Sequence, residues 1–599
     1  MLRRAAVVAR SIGVSADQVL LRHGLLREDD FYRCLARSVG AKFIDENLRL
    51  DARVSFPASI LAGVVPLNAT ASSARFAIAP SAGALQHVLE QGPRRLRGVA
   101  ITTPTALRRA VFEVRGPSIA SHAAHGLPYA RPEHSYRDGA SSGQIAGAAA
   151  GMAAVSAAAT YDLGLVIAIV AMLLTPVFLA MVILRITAAR DSIPTSPTWT
   201  SSRRPDRLLP VYTILVPLYR EARVLHQVVE ALSRLDYPAS KLDVKLIVEE
   251  GDGETRAALD RIALPGFFDV VVAPAGEPRT KPRALNVALP LARGEYTVIY
   301  DAEDIPDPGQ LRLALGTFAR HPPEVACLQA RLVIDNTGDN WLTRLFTIEY
   351  AALFDVINPG LAALRCPVPL GGTSNHFRTA VLKRVGGWDA WNVTEDADLG
   401  IRLALMGYRV ADLPSSTLEE APGRLRAWLR QRARWMKGLL QVSVTHSRHP
   451  WRTLRVLGPA RFFAAMTMTI GTVVAALGFP FFTALSVHGV ATGRLLGAED
   501  WMEAVPTALS LTLFVSGFAA MLLPAFSALR RRGWWGLAVL VPLLPIYYLL
   551  ISVGAWRGAA EFVLAPFRWN KTDHGLARTS RLRGPKAAQP LNHRKTRGW

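Results

Sequence analysis

Three acids in four residues, Asp301, Glu303 and Asp304, directly follow the apolar run Tyr296 to Tyr300. Carboxylates packed this closely repel one another, and a divalent cation removes the repulsion. Mg²⁺ or Mn²⁺ prefers hard oxygen ligands and takes one or two carboxylates, leaving phosphate and water to complete its shell. A solvated acidic turn is the competing reading of the short motif by itself. The surroundings favour chemistry. Glu221 and Asp252 follow two earlier apolar runs, so carboxylates there can hold a base and ribose by hydrogen bonds. Lys281, Arg283 and Asn286 lie in the stretch Arg279-Thr280-Lys281-Pro282-Arg283-Ala284-Leu285-Asn286, where Lys281 and Arg283 suit a diphosphate. The pair Gly371-Gly372 permits close backbone approach to a ligand. Thr394-Glu395-Asp396 adds two more acids, and Gln431-Arg432-Ala433-Arg434-Trp435 sits in a basic helical stretch.

These residues need elements to hold them. Tyr212 to Pro217, Val244 to Val248 and Tyr296 to Tyr300 are short, β-rich and continuously apolar. Continuous rather than alternating apolar residues predict strands covered on both faces, as in a mainly parallel α/β sheet. In such sheets ligands bind beyond the carboxyl ends of the strands, where the acids lie. The central block therefore spans residues 208–445.

The rest of the chain is membrane-like. Half of the 599 residues are hydrophobic. Uncharged runs cover Leu163 to Leu184, Phe462 to Val487, Val505 to Leu529 and Trp534 to Ala555. Each is long enough to cross a hydrocarbon core of ~30 Å. The net charge of +22 flanks these runs: Arg185, Arg190, Arg203, Arg204 and Arg207 follow the first, and Arg530, Arg531 and Arg532 separate two others. That is the positive-inside pattern with attraction to anionic membrane lipids, and it argues against nucleic acid as a partner. Three dispersed cysteines give no disulfide framework or zinc site and fit a reducing compartment. The N-terminus has no signal peptide pattern.

Residues 1–115 read as a small α/β unit, and 116–143, rich in Gly, Pro, His and Ser, as a linker. Residues 144–186 form one transmembrane helix or a helical hairpin. A hairpin, supported by small residues that let helices approach closely, leaves both flanking domains on the cytoplasmic side. Residues 455–566 are a C-terminal membrane region, and 567–599 a basic tail. A cytoplasmic tail requires an even number of crossings where three runs stand out. Either Pro542 and Pro545 break a helix that returns, or one run is interfacial.

The order of strand-end acids, acidic metal motif, Thr-Glu-Asp and Gln-x-x-Arg-Trp resembles family 2 glycosyltransferases, in the branch of cellulose, chitin and hyaluronan synthases. The resemblance covers residues 210 to 445 and the helices that follow. It implies a glycosyltransferase A-type α/β domain, a bacterial-type inner membrane location with several crossings, and a cytoplasmic catalytic domain. It also implies a UDP-sugar donor and a polysaccharide acceptor, with a membrane lipid as the alternative acceptor. A catalytically silent nucleotide-sensing scaffold is the rival from another class. Residue by residue, the resemblance makes Asp252 a nucleotide ligand with Glu221 beside it, and Asp301 and Glu303 metal ligands. Glu stands where Asp is common, so either Glu303 reaches the metal or Asp304 assists. It makes Asp396 the general base next to Glu395, and Gln431, Arg434 and Trp435 the residues that hold the acceptor and neutralise the leaving diphosphate. Trp569 and Thr572, in Trp569-Asn570-Lys571-Thr572-Asp573-His574-Gly575, resemble a gating segment. Residues 17–40 resemble the N-terminal domain of type II secretion and type IV pilus ATPases, some of which bind cyclic di-GMP. Those that bind it carry Arg-Leu-Gly where this chain has Ser15, Ala16 and Asp17. A protein partner is therefore the other reading of this domain.

Overall fold

A computed structural model describes residues 1–69, 73–91, 97–192, 204–492, 501–569, 571 and 574–583. The N-terminal unit has four short strands, β1 (Lys42–Phe43), β2 (Val64–Pro66), β3 (Phe76–Ile78) and β4 (Val99–Ile101), ordered β1-β4-β3-β2. Helices pack on this sheet around Tyr32, Leu35, Val65 and Ile101.

The central sheet has eight strands: β5 (Tyr212–Leu218), β6 (Leu242–Glu249), β7 (Phe268–Ala273), β8 (Tyr296–Ile299), β9 (Ile305–Pro306), β10 (Val325–Ile334), β11 (Asn375–Arg378) and β12 (Arg409–Glu419). Their order is β7-β6-β5-β8-β11-β10-β12-β9. The first four are mutually parallel, as the continuous apolar runs predict. The sheet then becomes mixed. β11 is antiparallel to both β8 and β10, β10 and β12 run parallel, and β9 is antiparallel to β12. Alternate residues of β5 enter different cores: Tyr212, Ile214 and Val216 one, Leu215 the other. Both faces are covered, which is why the strands show no alternation.

Residues 116–143 correct the linker expectation. Helix α1 (Pro104–Ala130) runs unbroken through Pro117 and Pro128, and buries Gly116, Ile119, Ala120, Ala123 and Leu127. Asn286 Nδ2 donates to Ala123 O at 3.0 Å, and Trp391 Nε1 donates to Ala124 O at 2.9 Å. Beyond the helix, Asp389 accepts from Ser135 Oγ (2.9 Å) and Tyr136 N–H (2.7 Å). Small residues that resemble linker composition here allow close packing against the catalytic sheet. The N-terminal unit also caps the β7 edge, where Arg22 and Arg108 each lie 3.6 Å from Asp269.

Helices α2 (Ser142–Tyr161) and α3 (Leu163–Asp191) follow. The central block contributes α4 (Lys281–Ala288), α5 (Trp341–Ala352), α6 (Glu395–Leu405) and α7 (Leu425–His446). After it come α8 (Pro450–Leu457), α9 (Pro459–Met466), α10 (Thr472–Ala491), α11 (Trp501–Arg532) and α12 (Leu544–Leu564). Among the described residues, four helical stretches are long and apolar enough to cross a membrane: Met172–Asp191, Pro459–His488, Thr512–Arg532 and Trp535–Leu564. Around Pro542 the last of these changes from a 3₁₀ segment (Trp535–Leu543) to α12. Gly554 and Gly558 let α12 lie directly on α7, because a Cβ there would stand 2.7 Å from Arg432 Cβ and 2.6 Å from Ala433 O.

Candidate active site

The carboxyl ends of β5, β6 and β8 open into one cleft of about 620 Å³. Glu221, Lys281, Asp301, Glu303, Glu395, Asp396, Gln431, Arg434, Trp435 and Trp569 all line it. Their separation in sequence exceeds two hundred residues in places, and the sheet topology brings them together.

Asp301 and Glu303 face the cleft with cationic partners. Lys281 Nζ lies 2.6 Å from Asp301 Oδ1 and donates to Gly372 O at 2.6 Å. His574 Nδ1 lies 2.9 Å from Glu303 Oε1, and Lys571 Nζ lies 2.9 Å from Glu221 Oε1. Burial opposes the His574 cation, but Glu303, then Glu221 and Asp301, hold it protonated, with a pKa raised to about 9. Glu221 is pushed up to about 7, chiefly by burial. Glu419 is pushed up to about 8 by burial and then by Glu303 and Asp301. Glu303 and Asp301 raise the proton affinity of Glu419, so an added positive charge beside them would relieve the repulsion. Among the described residues no three His, Cys, Asp or Glu side chains converge as a metal cage. The two carboxylates of Asp301 and Glu303 nevertheless fit Mg²⁺ or Mn²⁺, which takes its remaining ligands from phosphate and water.

Asp304 is different. Its Oδ2 accepts from Asp301 N–H at 2.7 Å and from Thr373 Oγ1, and it is fully buried beneath the turn. It shapes the metal motif from behind, so the longer arm of Glu303, not Asp304, reaches the cleft.

Three other expected ligands turn away. Asp252 caps the helix Gly253–Leu259 through Thr255 N–H (3.1 Å) and Thr255 Oγ1 (2.7 Å), and also accepts from Arg220 N–H. Arg283 is fully buried, pairing with Glu249 and donating to Pro274 O at 2.7 Å. Asn286 bonds Ala123 O and both backbone groups of Trp388. The reason is helical geometry. Lys281 opens α4 towards the cleft, and residues two and five positions on, at ~100° per residue, point inward. Thr572 lies outside the described residues.

Asp396 sits in the first turn of α6, fully buried from bulk water. Burial, followed by Glu395 and Asp301, raises its pKa well above the usual carboxylate range, and Lys281 opposes this. A Cβ built on Gly372 would stand 3.7 Å from Asp396 Oδ2, 3.9 Å from Lys281 Nζ and 4.0 Å from Asp301 Oδ2. The space above Gly372 is thus where Lys281, Asp396 and Asp301 meet.

From α7, Trp435 stacks against Tyr350 with ring centroids 6.3 Å apart, and Arg432 lies 4.5 Å over its ring. Arg432 forms paired 2.6 Å bonds with Glu349, and Tyr547 donates to Glu349 at 2.6 Å. Arg434 lies 5.9 Å over Trp569, and its pKa is lowered by burial although Glu395 and Asp301 oppose the shift. Arg432, Glu349, Lys571 and His574 escaped the sequence reading. Charged residues beside recognised motifs were the available signal for three of them.

The segment after α12 straps across the cleft. Lys437 Nζ donates to Arg568 O at 2.6 Å, and Gln441 Nε2 to Pro566 O at 3.0 Å. Gly575 and Leu576 N–H both donate to Glu420 at 2.8 Å, and Thr579 N–H to Asp339 at 2.8 Å. Arg581 ends the strap 4.0 Å over the Trp534 ring.

Residues 210–438 match the family described as glycosyltransferase like family 2, and this block is a glycosyltransferase domain. A probable glycosyltransferase YdaM of Bacillus subtilis is 25% identical over 246 residues, 40% of this chain and 57% of that protein. Probable glucomannan 4-beta-mannosyltransferase 1 of Arabidopsis thaliana is 26% identical, covering 44% and 45%. Beta-monoglucosyldiacylglycerol synthase of Synechocystis sp. is 30% identical, covering 38% and 48%. The chain spans about half the length of the curated relatives it matches. The solved structure of a mannosyltransferase from Pyrobaculum calidifontis, in complex with GDP-Man and Mn²⁺, is 20% identical with a TM-score of 0.41, covering 65% of this chain and 99% of its own.

Proposed function

We propose that this chain is a membrane-embedded, inverting glycosyltransferase that moves sugar from a UDP-sugar to a growing β-linked polysaccharide at the cytoplasmic face of a bacterial-type inner membrane. One observation carries the reading: the cleft that holds Asp301, Glu303 and Asp396 runs on to Met468, Met521, Leu544 and Tyr548 of the membrane helices. A product formed at the sheet end therefore has a continuous lined path into the helical bundle.

The chemistry follows from the residues. A divalent cation at Asp301 and Glu303 supplies charge neutralisation to the donor diphosphate. Lys281, held at the Gly372 carbonyl, and Arg434 face the leaving group and stabilise its developing charge. Asp396 takes the proton of the acceptor hydroxyl as that oxygen bonds to the anomeric carbon and the bond to the diphosphate breaks. Its raised proton affinity, caused by burial and Glu395, makes it a stronger proton acceptor than an ordinary carboxylate. A single displacement inverts the anomeric centre. Trp435, which lines the cleft, meets the apolar side of the acceptor sugar, while Glu349 and Tyr547 fix Arg432 against the ring.

The strap reads as a gate. Lys571 and His574 neutralise Glu221 and Glu303 when no donor is present, and donor with metal takes over that task when the strap lifts. The N-terminal unit reads as a docking module, because it is fastened to the β7 edge away from the cleft.

A second reading, single addition to a membrane lipid, is favoured by the apolar lining at the far end of the cleft, which also suits an acyl chain. The purified protein in detergent, given Mn²⁺ and labelled UDP-glucose, UDP-N-acetylglucosamine or GDP-mannose, tests both. Polymer that disappears in Trp435→Ala while donor hydrolysis persists supports the first. A product of one sugar on lipid supports the second. No nucleoside diphosphate release with any donor refutes both.

A further inference from the structure

Beside the C-terminal half of α6, further along the helix than Asp396, a second cavity of about 180 Å³ is lined by Gly400, Ala404, Val368 and Leu457. Three arginines meet at it from separate elements: Arg365 after the helix Asn358–Ala363, Arg409 at the start of β12, and Arg461 in the first turn of α9. None of the three forms an ion pair among the described residues, and Glu324 is the sole acid lining the cavity. Arg409 Nε is buried without a hydrogen-bond partner. Burial, then the charges of Arg365 and Arg461, disfavours the Arg409 cation, with Glu324 opposing. Arg365 also holds a left-handed backbone, φ 58°, which a residue with a Cβ adopts at a cost. Surface arginines normally spread apart. Three that converge on a cavity with Glu324 as the one acid lining it describe a site short of an anion, and the guanidinium fork matches phosphate oxygens.

The position of the cavity identifies the anion. Arg461 lies at the start of the candidate membrane span Pro459–His488. Next to it, α8 and α9 expose Trp451 (74%), Val456 (53%) and Phe463 (61%). Exposed Trp and aliphatic side chains on a short helix leading into a span belong at a bilayer surface. The cavity therefore opens at headgroup depth.

We propose that the Arg365–Arg409–Arg461 cavity is a phosphate site that takes the headgroup of an anionic lipid. This goes beyond the transfer reaction and does not depend on it, since the two cavities share no lining residue.

The test uses full-length, delipidated protein in detergent. Phosphatidylglycerol, phosphatidylcholine or inorganic phosphate is added, and retained molecules are counted by native mass spectrometry. Retention of phosphatidylglycerol but not phosphatidylcholine is expected, falling about fivefold for each arginine removed, the effect of roughly one surface charge. Arg365→Gln and Arg461→Gln are the primary variants because both side chains are exposed and the fold does not rest on them. Arg409→Gln is added with its thermal unfolding measured in parallel. Equal phosphatidylglycerol retention by wild type and the two exposed variants overturns the site. Retention of inorganic phosphate without lipid overturns the lipid as its source.

Discussion

The contact between α7 and α6 joins the helix of Trp435, the proposed acceptor platform, to that of Asp396, the proposed base, and Gly438 makes it. A Cβ at Gly438 would stand 2.2 Å from Thr394 Oγ1, 2.3 Å from Thr394 Cγ2 and 2.7 Å from Thr394 Cβ, whereas ordinary contact begins at 3.4 Å. Thr394 is the N-cap residue of the helix that starts with Glu395 and Asp396. In an open helix, Gly→Ala stabilises by ~1 kcal/mol. Here the methyl group meets three atoms of a β-branched side chain at the start of α6, and overpacking of this kind costs ~1–3 kcal/mol. The two helices must separate by about 1 Å, and a misplacement of that size in an active site costs ~100-fold in rate. Gly438→Ala is therefore expected to lower the unfolding temperature and to reduce donor turnover by about two orders of magnitude. Gly147→Ala in α2, where nothing lies within 4 Å, is the control and should be neutral or slightly stabilising. The assay pairs thermal unfolding in detergent with nucleoside diphosphate release. A Gly438→Ala protein as stable and as active as wild type would refute the proposed coupling of the two helices.

Three further outcomes are expected. Gly372→Ala should fold normally, since its methyl would meet nothing closer than 3.7 Å, yet it should weaken donor binding in a titration because it fills the space between Lys281, Asp301 and Asp396. Glu419 has a folded pKa near 8 against an ordinary 4.5, so its contribution to stability is full below pH 4.5 and is lost as pH rises through 8. Glu419→Gln should flatten the fall of unfolding temperature between pH 5 and pH 8 in metal-free buffer; an unchanged slope would contradict the burial argument. Lys571→Ala together with His574→Ala removes the two cations that answer Glu221 and Glu303. Mn²⁺ should then bind more tightly by calorimetry, and weaker binding would show that His574 helps hold the ion.

Much of the catalytic block was legible because its signals are local. Continuous apolar strands ending in acids locate Asp301 and Glu303, and α6 and α7 carry their motifs within one or two turns. What stayed hidden depends on tertiary packing. The strand runs indicate a covered sheet, but not that β11 would reverse direction between β8 and β10. Arg283 and Lys281 read alike as phosphate ligands, and only the rotation of α4 sends one to Glu249 and the other to the cleft. The same holds for Asp304, which the local motif cannot distinguish from its neighbours until Thr373 is packed beneath it. The second half of α1 was misread because Gly, Pro, His and Ser, which mark a linker in isolation, here lie in a helix that docks on α4. The partners of the strap, Glu420 and Asp339, lie more than a hundred residues from it, beyond any periodicity argument.

The central claim is that Asp396 removes the acceptor proton while Asp301 and Glu303 serve the donor. Single-turnover sugar transfer by Asp396→Asn, with Mn²⁺ and saturating donor and with donor binding measured on the same sample, tests it most directly. The expected result is donor affinity near that of wild type with transfer slowed by ~10²- to 10⁴-fold, the range for loss of a general base. Transfer at the wild-type rate would contradict the account.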